Sequence, residues 1–431
     1  MVIKSTFAFV STFLILMATV VLAEPVTSRV DSTTLAGKLI LGYQGWFGCP
    51  GDVAHRGWRH WFDGKSPTVD LLPDTSELAP DERCPSGWST PGNEPVWLFS
   101  SQDSRSVERH FRWMRDYGLD GVALQRFGVG LASADSKASV DRVLASVRAA
   151  AEQEGRVFFV MYDLSGMAAD KLDSVVEDWA QLEQSHLTAG VAYQRHHGHP
   201  VLALWGLGFK GRPITPAMAT NMIKKLRDES AAYGGLTLLA GVPAGWRMRQ
   251  GDADTDAGWD AVYRSLDIIS PWTVGRYADD AGDDSYRRND LEPDLAETHR
   301  LGIDYMPVVF PGFSWANLMR ARAQPDKALP NQIPRRCGKF FWHQVYDAVS
   351  AGTTMMYGAM FDEVDEGTAM FKVLADHRQL PASPGFVALD ADGCALPSDW
   401  YLQLAGQATL ALRKLGAPGA ISPNMPITQP H

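Results

Sequence analysis

From Lys38 onward, short apolar runs alternate with segments whose apolar residues recur every three or four positions. The runs are 38–47, 121–128, 157–163, 200–206, 236–242, 268–274, 305–310 and 353–361. Each is dense in Val, Ile, Leu and aromatic residues and bounded by Gly, Pro or Asp, the pattern of a buried strand. The intervening segments read as amphipathic helices. Val107, Phe111, Met114 and Tyr117 share one face behind Ser104 as a cap. Val140, Val143, Leu144 and Val147 form a second stripe, stopped by Gly155, and Leu172, Val175, Val176, Trp179 and Leu182 a third. Thr215-Pro216 starts a fourth, with Met222, Ile223 and Leu226 inward and Gly234 as its stop; further helices are predicted over 340–350 and about 398–415.

Eight strands alternating with helices predict a (β/α)8 barrel, an α/β fold of the TIM type. A doubly wound sheet would alternate too, but no Gly-x-Gly-x-x-Gly follows the first strand. The connection 48–102 is long, rich in Pro, Gly, Asp and Trp, and holds two cysteines, so it reads as an ordered functional loop after the first strand. The predicted domain organisation is a leader over 1–23 and one barrel domain over 24–431.

In such a barrel the chemistry collects at the C-terminal strand ends. That rule singles out Tyr43 and Trp46, Gln125 and Arg126, Tyr162 and Asp163, Trp205, Trp246, Trp272 and Tyr277, and Trp315, with His60, Trp61 and Asp63 of the long loop above them. Tyr43, Trp46, His60, Trp61, Gln125, Arg126, Asp163, Trp205, Trp272 and Tyr277 are the expected substrate contacts. Flat rings stack on sugar faces and carboxylates meet hydroxyls. The competing reading is packing: Arg126 as an ion pair, Trp205 and Trp246 as core, Asp163 as a helix cap.

The densest chemistry follows the eighth strand, where Asp362, Glu363, Asp365 and Glu366 stand with no Lys or Arg among them before Gly367. Like charges crowded at the mouth of a buried strand raise at least one pKa, which is how a general acid is made. The spacing is not that of an EF-hand calcium loop. The HHGH of residues 196–199 reads as a polar turn into a strand rather than a metal site, and no metal or organic cofactor is expected.

Net charge and cysteines narrow the setting. A formal charge of -10 argues against a nucleic-acid partner. The first 23 residues carry Lys4, an apolar stretch and a small residue before Glu24, the pattern of a cleaved signal peptide, and no later run is long enough to span a bilayer. The expected protein is therefore secreted or periplasmic and free of the membrane after cleavage. Four cysteines in an exported chain suggest two disulfides; Cys49 with Cys84 and Cys337 with Cys394 each close a local segment. Fourteen Trp and twelve Tyr fit a carbohydrate partner. The oligomeric state is not readable from the sequence.

The segment FDEVDEGT, 361–368, resembles the FNEWHEGT-like motif of the endo-α-1,2-mannosidases of glycoside hydrolase family 99, and GYQGWF at 42–47 resembles the aromatic first-strand end of that family. YQGWFGCPGD and VVFPGFSWANL are similar to stretches of family 71/99-like and xylosidase/arabinosidase-like chains. The resemblance implies a glycoside hydrolase acting on O-glycosidic bonds of a poly- or oligosaccharide. Glu366 would be its general acid/base and Glu363 the base on the sugar 2-hydroxyl, which itself attacks the anomeric carbon with net retention. Val364 and Asp365 depart from the Trp and His of the motif. The alternatives are a silent glycan-binding barrel and an inverting α-glucanase of the family 71 kind, whose carboxylates would sit roughly 6.5–9.5 Å apart.

Overall fold

The computed structural model describes residues 29–382, 385–414 and 422–427. The expected signal peptide, 1–23, lies outside them. Eight parallel strand positions make the sheet: β1 Leu39–Tyr43, β2 Gly121–Phe127, β3 Val157–Asp163, β4 His199–Trp205, β5 Thr237–Pro243, β6 Ile268–Trp272, β7 in two pieces, Asp304–Tyr305 and Val308–Val309, and β8 Met356–Gly358. Neighbours in sequence are neighbours in space, and β1 pairs with both β2 and β8.

The ring closes through β7. Its first piece pairs with β6 and its second with β8. Pro307 stands between them and has no N–H to give to a ladder, so the strand changes partner there. The carbonyl of Pro307 still accepts the N–H of Tyr357 at 2.9 Å. Every residue of β1, β3 and β5 is buried, which is why these strands read as unbroken apolar runs.

The helices over Ser104–Asp116, Ala134–Glu154, Asp173–Gln184, Pro216–Ser230, Lys339–Ser350 and Trp400–Arg413 match the predicted stripes. The first is capped by Asp103 instead of Ser104: the Asp103 carboxylate accepts the N–H of Arg105 at 2.9 Å. A helical run between β6 and β7 leaves no apolar stripe in the sequence. It comprises Asp280–Tyr286, a π-turn over Arg287–Leu291, and Glu292–Leu301. Its inward face carries Asp283, Leu291, Asp294 and Thr298, so polarity hides its period. The π-turn has a cause in Pro293, which cannot donate to the carbonyl of Asn289; Arg247 Nη2 supplies that bond at 3.0 Å.

The loop 48–102 is ordered over the β1 end of the barrel. Cys49 is joined to Cys84, and Cys337 to Cys394, with Cα separations of 6.3 and 6.0 Å. Two small hairpins, Phe62–Asp63 with Ser66–Pro67 and Cys84–Ser89 with Pro95–Leu98, stiffen it. Among the described residues no helix is long and apolar enough to cross a membrane.

Candidate active site

Past Gly358 the chain turns across the barrel mouth. The N–H of Phe361 is held by the carbonyl of Gly42 at 2.7 Å. Asp362, fully buried, then accepts the backbone N–H groups of Gln44 (2.6 Å) and Gly45 (2.9 Å), locking the β8 end to the β1 end. Burial pushes the Asp362 carboxyl up to about 7 against the pull of these N–H bonds. Gly45 has φ +59° and Val143 lies 2.7 Å from where a Cβ would sit, so only glycine lets the backbone offer both donors.

Glu363 is the fixed carboxylate. Its Oε2 accepts the side-chain amide of Gln44 at 2.6 Å, and its Oε1 accepts the backbone N–H groups of Asp365 (2.9 Å) and Glu366 (3.3 Å). Glu366 is the free one: half-buried, its carboxyl makes no hydrogen bond among the described residues. Its backbone is held instead, through Ser314 N–H to the Glu366 carbonyl at 2.8 Å. Gly367, at φ +64°, lies against Ser314, whose carbonyl oxygen would be 2.8 Å from an added Cβ.

The loop after β7 that carries Ser314 is in turn tied to the long loop by Asp70. Its carboxylate accepts Ser314 Oγ–H and the N–H groups of Ala316 and Asn317, both at 2.7 Å. Its own N–H goes to the carbonyl of Val364 at 3.0 Å. Val364 is buried and packs inward.

The sequence expects at least one carboxyl of the cluster to rise, Glu366 among them, by like charge and partial burial. All four carboxyls rise. Burial is the main cause throughout. Asp365, Glu366 and Asp362 add repulsion at Glu363, while Gln44 pulls it down. At Glu366 the exposed Arg322 pulls down, and the opposing like charge comes across the mouth from Asp163 of β3. Burial and mutual repulsion thus favour the protonated form across the cluster, and they push Glu363 further than Glu366. Against that push, Glu363 accepts N–H donors on both oxygens, which suits a carboxylate, whereas the oxygens of Glu366 are open.

Glu363, Asp365 and Glu366 line a cavity of about 360 Å³ with Trp46, Trp58, His60, Phe62, Asp63 and Arg322. One wall is a tight stack: Trp46 lies on His60 with centroids 3.8 Å apart and planes 6° from parallel, backed by Phe127 at 5.0 Å. His60 Nδ1 is 3.4 Å from Asp365 Oδ2, and burial with nearby Arg59 and Arg322 keeps its imidazole neutral, its pKa pushed down to about 3. Behind this wall a second cavity of about 250 Å³ is lined by Gln44, Arg56, Arg59, Gln125 and Arg126 among others.

Trp46, His60, Asp63, Glu363 and Glu366 thus share one cavity. A second ring group fills the mouth. Half-buried Trp205 meets Trp272 edge-on at 5.3 Å, Trp272 lies 6.2 Å from Tyr357, and Gln125 Nε2 donates to the Tyr357 hydroxyl at 3.3 Å. Arg212 caps the Trp205 ring at 5.0 Å. Buried Asp163 accepts the N–H of Ser165 at 2.7 Å, as a turn residue does, and burial raises its pKa.

Four expected substrate contacts are placed elsewhere. Tyr43 points outward, its hydroxyl 2.9 Å from Nδ1 of His110 on the first helix. Arg126 also points outward, bonded to Asp178 at 2.6 and 2.7 Å and to Asp141 at 2.5 Å. The cause is strand alternation: Gln125 faces the barrel interior, so Arg126 faces the helices. Trp61 is fully buried in the long loop, its indole N–H given to the Phe99 carbonyl at 2.9 Å and its ring packed on Phe47 at 4.2 Å. Tyr277 donates to Gln344 of the helix Lys339–Ser350 at 3.1 Å. Trp246 is likewise spent, on Asp294 at 2.8 Å.

Sequence reasoning missed Gln44, Trp58, Phe62 and Arg322. Gln44 carried a signal, as it stands between two expected site residues directly after β1. Arg322 carried none; the turn after the short helix Ala316–Ala321 brings it over the carboxylates.

No family model matches the sequence, and no curated protein does. Among solved structures, the chain is similar to an endo-α-mannosidase of glycoside hydrolase family 99 from Bacteroides thetaiotaomicron in complex with bis-tris-propane. The TM-score is 0.63 at 16% identity, over 88% of this chain and 98% of that one. A second structure of the family 99 endo-α-mannosidase from the same organism gives 0.63 at 15%, over 89% and 100%. At such identity the likeness is one of fold: this chain has the α/β barrel fold of those family 99 structures.

Proposed function

We propose that this protein is an exported glycoside hydrolase that cleaves O-glycosidic bonds in a poly- or oligosaccharide, with residues 24–431 as one catalytic barrel domain. The observation that carries the reading is the contrast between two glutamates in one ring-walled cavity: Glu366 with an open carboxyl and Glu363 held by three donors. Such a pair suits two jobs. Protonated Glu366 gives its proton to the departing glycosidic oxygen, while Glu363, kept as the carboxylate, takes the proton of the sugar 2-hydroxyl. The freed 2-oxygen attacks the anomeric carbon as the bond to the leaving group breaks. Water then opens the anhydro-sugar, with Glu366 as base and Glu363 returning its proton, and configuration is retained. The 2-hydroxyl must lie trans to the leaving group, as in an α-mannoside.

Trp58 and Phe62 supply flat apolar faces a sugar ring stacks on, and Trp46, backed by Phe127, holds the imidazole of His60 in the wall beside them. Two disulfides support export, since such bonds persist in oxidising compartments. The test is a panel of mannans, α-glucans, xylans and arabinans with product analysis by NMR at early times. Release of oligosaccharide with retained configuration, lost in Glu366→Gln, is the expected result. Absence of any cleavage, or an inverted product, contradicts it.

A further inference from the structure

Arginines that the proposed chemistry does not use stand in the cavity of Glu366 and in the one behind it. Arg59 and Arg322 line the cavity that holds the carboxylates, and Arg59 and Arg56 line the cavity behind the Trp46–His60 wall. Arg59 and Arg322 are exposed and Arg56 is half-buried. Among the described residues none of the three forms an ion pair. Arg56 donates to the hydroxyl of Ser136 at 3.0 Å.

Partners are not scarce in a chain with 50 acidic and 40 basic residues. Glu363, Asp365 and Glu366 share the cavity of Arg59 and Arg322, and two further acidic residues, Asp52 and Asp63, stand near. The carboxylate of Asp52 is taken up by the N–H groups of Cys49 and Ala54 and the hydroxyl of Ser100. Asp63 lines the same cavity, exposed, and pairs with none of the arginines.

Arg322 has a second role open to it, that of drawing down Asp365 and Glu366. That role does not extend to Arg56 and Arg59. Burial and then the charge of Arg56 press the Arg59 guanidinium below its usual range, so the two guanidinium groups repel each other. A guanidinium offers a planar fork of donors that matches the oxygens of a sulfate, phosphate or carboxylate.

We propose that Arg56, Arg59 and Arg322 form an anion-recognising rim, and that the glycan held over Glu366 carries a negatively charged substituent close to the bond that is cleaved. The inference rests on the glycosidase reading for the glycan but not for the charge. The anion is a sulfate ester, a phosphate ester or a uronate carboxylate; all three present oxygens a guanidinium fork can grip.

The test measures binding, which needs no turnover. Affinity electrophoresis of the full mature chain is run in gels holding mannan, sulfated mannan or phosphomannan, and dextran, dextran sulfate or polygalacturonate. The expected result is that at least one anionic polymer binds about 10-fold or more tightly than its neutral counterpart, in line with the gain from charge-assisted hydrogen bonds. Which anionic arm responds identifies the substituent. Arg59→Ala and Arg322→Ala should each remove about 10-fold of that advantage, read as the ratio of anionic to neutral binding within the same variant, and leave the melting temperature in place. Arg378→Ala, at an exposed arginine paired with Asp376, should change nothing.

Equal binding of neutral and anionic polymers overturns the inference and leaves the glycosidase reading standing. So does an equal loss on both in the rim variants, or an equal loss in Arg378→Ala. Failure to bind any of the glycans overturns both.

Discussion

The side-chain amide of Gln44 donates to Oε2 of Glu363 at 2.6 Å, so the residue that follows β1 holds the carboxylate delivered by β8. This bond pulls down a carboxyl that burial and the neighbouring carboxylates push well up. Gln44→Ala should lower kcat/KM by about 10- to 100-fold, the worth of one charge-assisted hydrogen bond in the transition state, with the fold retained. Steady-state kinetics and circular dichroism check it. Unchanged kcat/KM would remove Glu363 from the proposed base role.

The two tryptophans of the long loop region should behave in opposite ways. Trp46 is half-buried on a cavity wall, so Trp46→Ala should cost about 1 kcal/mol of oligosaccharide binding and little stability. Trp61 is fully buried with its N–H satisfied, so Trp61→Ala should cost about 3 to 5 kcal/mol of stability. Calorimetric binding and urea unfolding of both variants separate the cases. The reverse ordering would show that the two rings have been given each other's roles.

Cys49–Cys84 closes a segment with a sequence separation of 35, which on the chain-entropy estimate stabilises the loop by about 3 to 4 kcal/mol. Mild reduction should expose the loop to protease before the barrel unfolds. Proteolysis with mass spectrometry of the fragments is the check, and simultaneous cleavage of barrel and loop is the contrary outcome.

Asp283 gives a pH dependence whose sign is fixed. Burial, then repulsion from Asp347, raises its carboxyl from 3.8 to about 7. A raised acid contributes stability that is fully present below the unfolded value and is lost as pH rises through about 7. Asp283→Asn has no such loss. Relative to wild type it should gain about 2 to 4 kcal/mol between pH 4 and pH 8. Urea unfolding at both pH values measures this, and a difference that does not move with pH contradicts it.

The strands were legible because nearly all their residues are buried, and a run such as VFFVMYD finds that burial on both faces of a parallel sheet. The helical run from Asp280 to Leu301 was not, because buried Asp283 and Asp294 stand where apolar residues would mark the period. At the strand ends residue type was legible and direction was not. Arg126 and Tyr43 look like site residues in a list, yet one step of strand alternation turns them to the helices. Positions set by irregular loops, such as Arg322 in the cavity of Glu366, follow from no periodic pattern.

The central claim is the division of labour between Glu366 and Glu363, and a leaving-group comparison tests it most directly. Each glutamate is changed to Gln, and turnover is measured on a natural glycoside and on an aryl glycoside whose leaving group needs no acid. Glu366→Gln should lose about 10² to 10⁴ on the natural glycoside and much less on the aryl one, while Glu363→Gln should lose comparably on both. Equal impairment of Glu366→Gln on the two substrates, or wild-type turnover in either variant, would contradict the assignment.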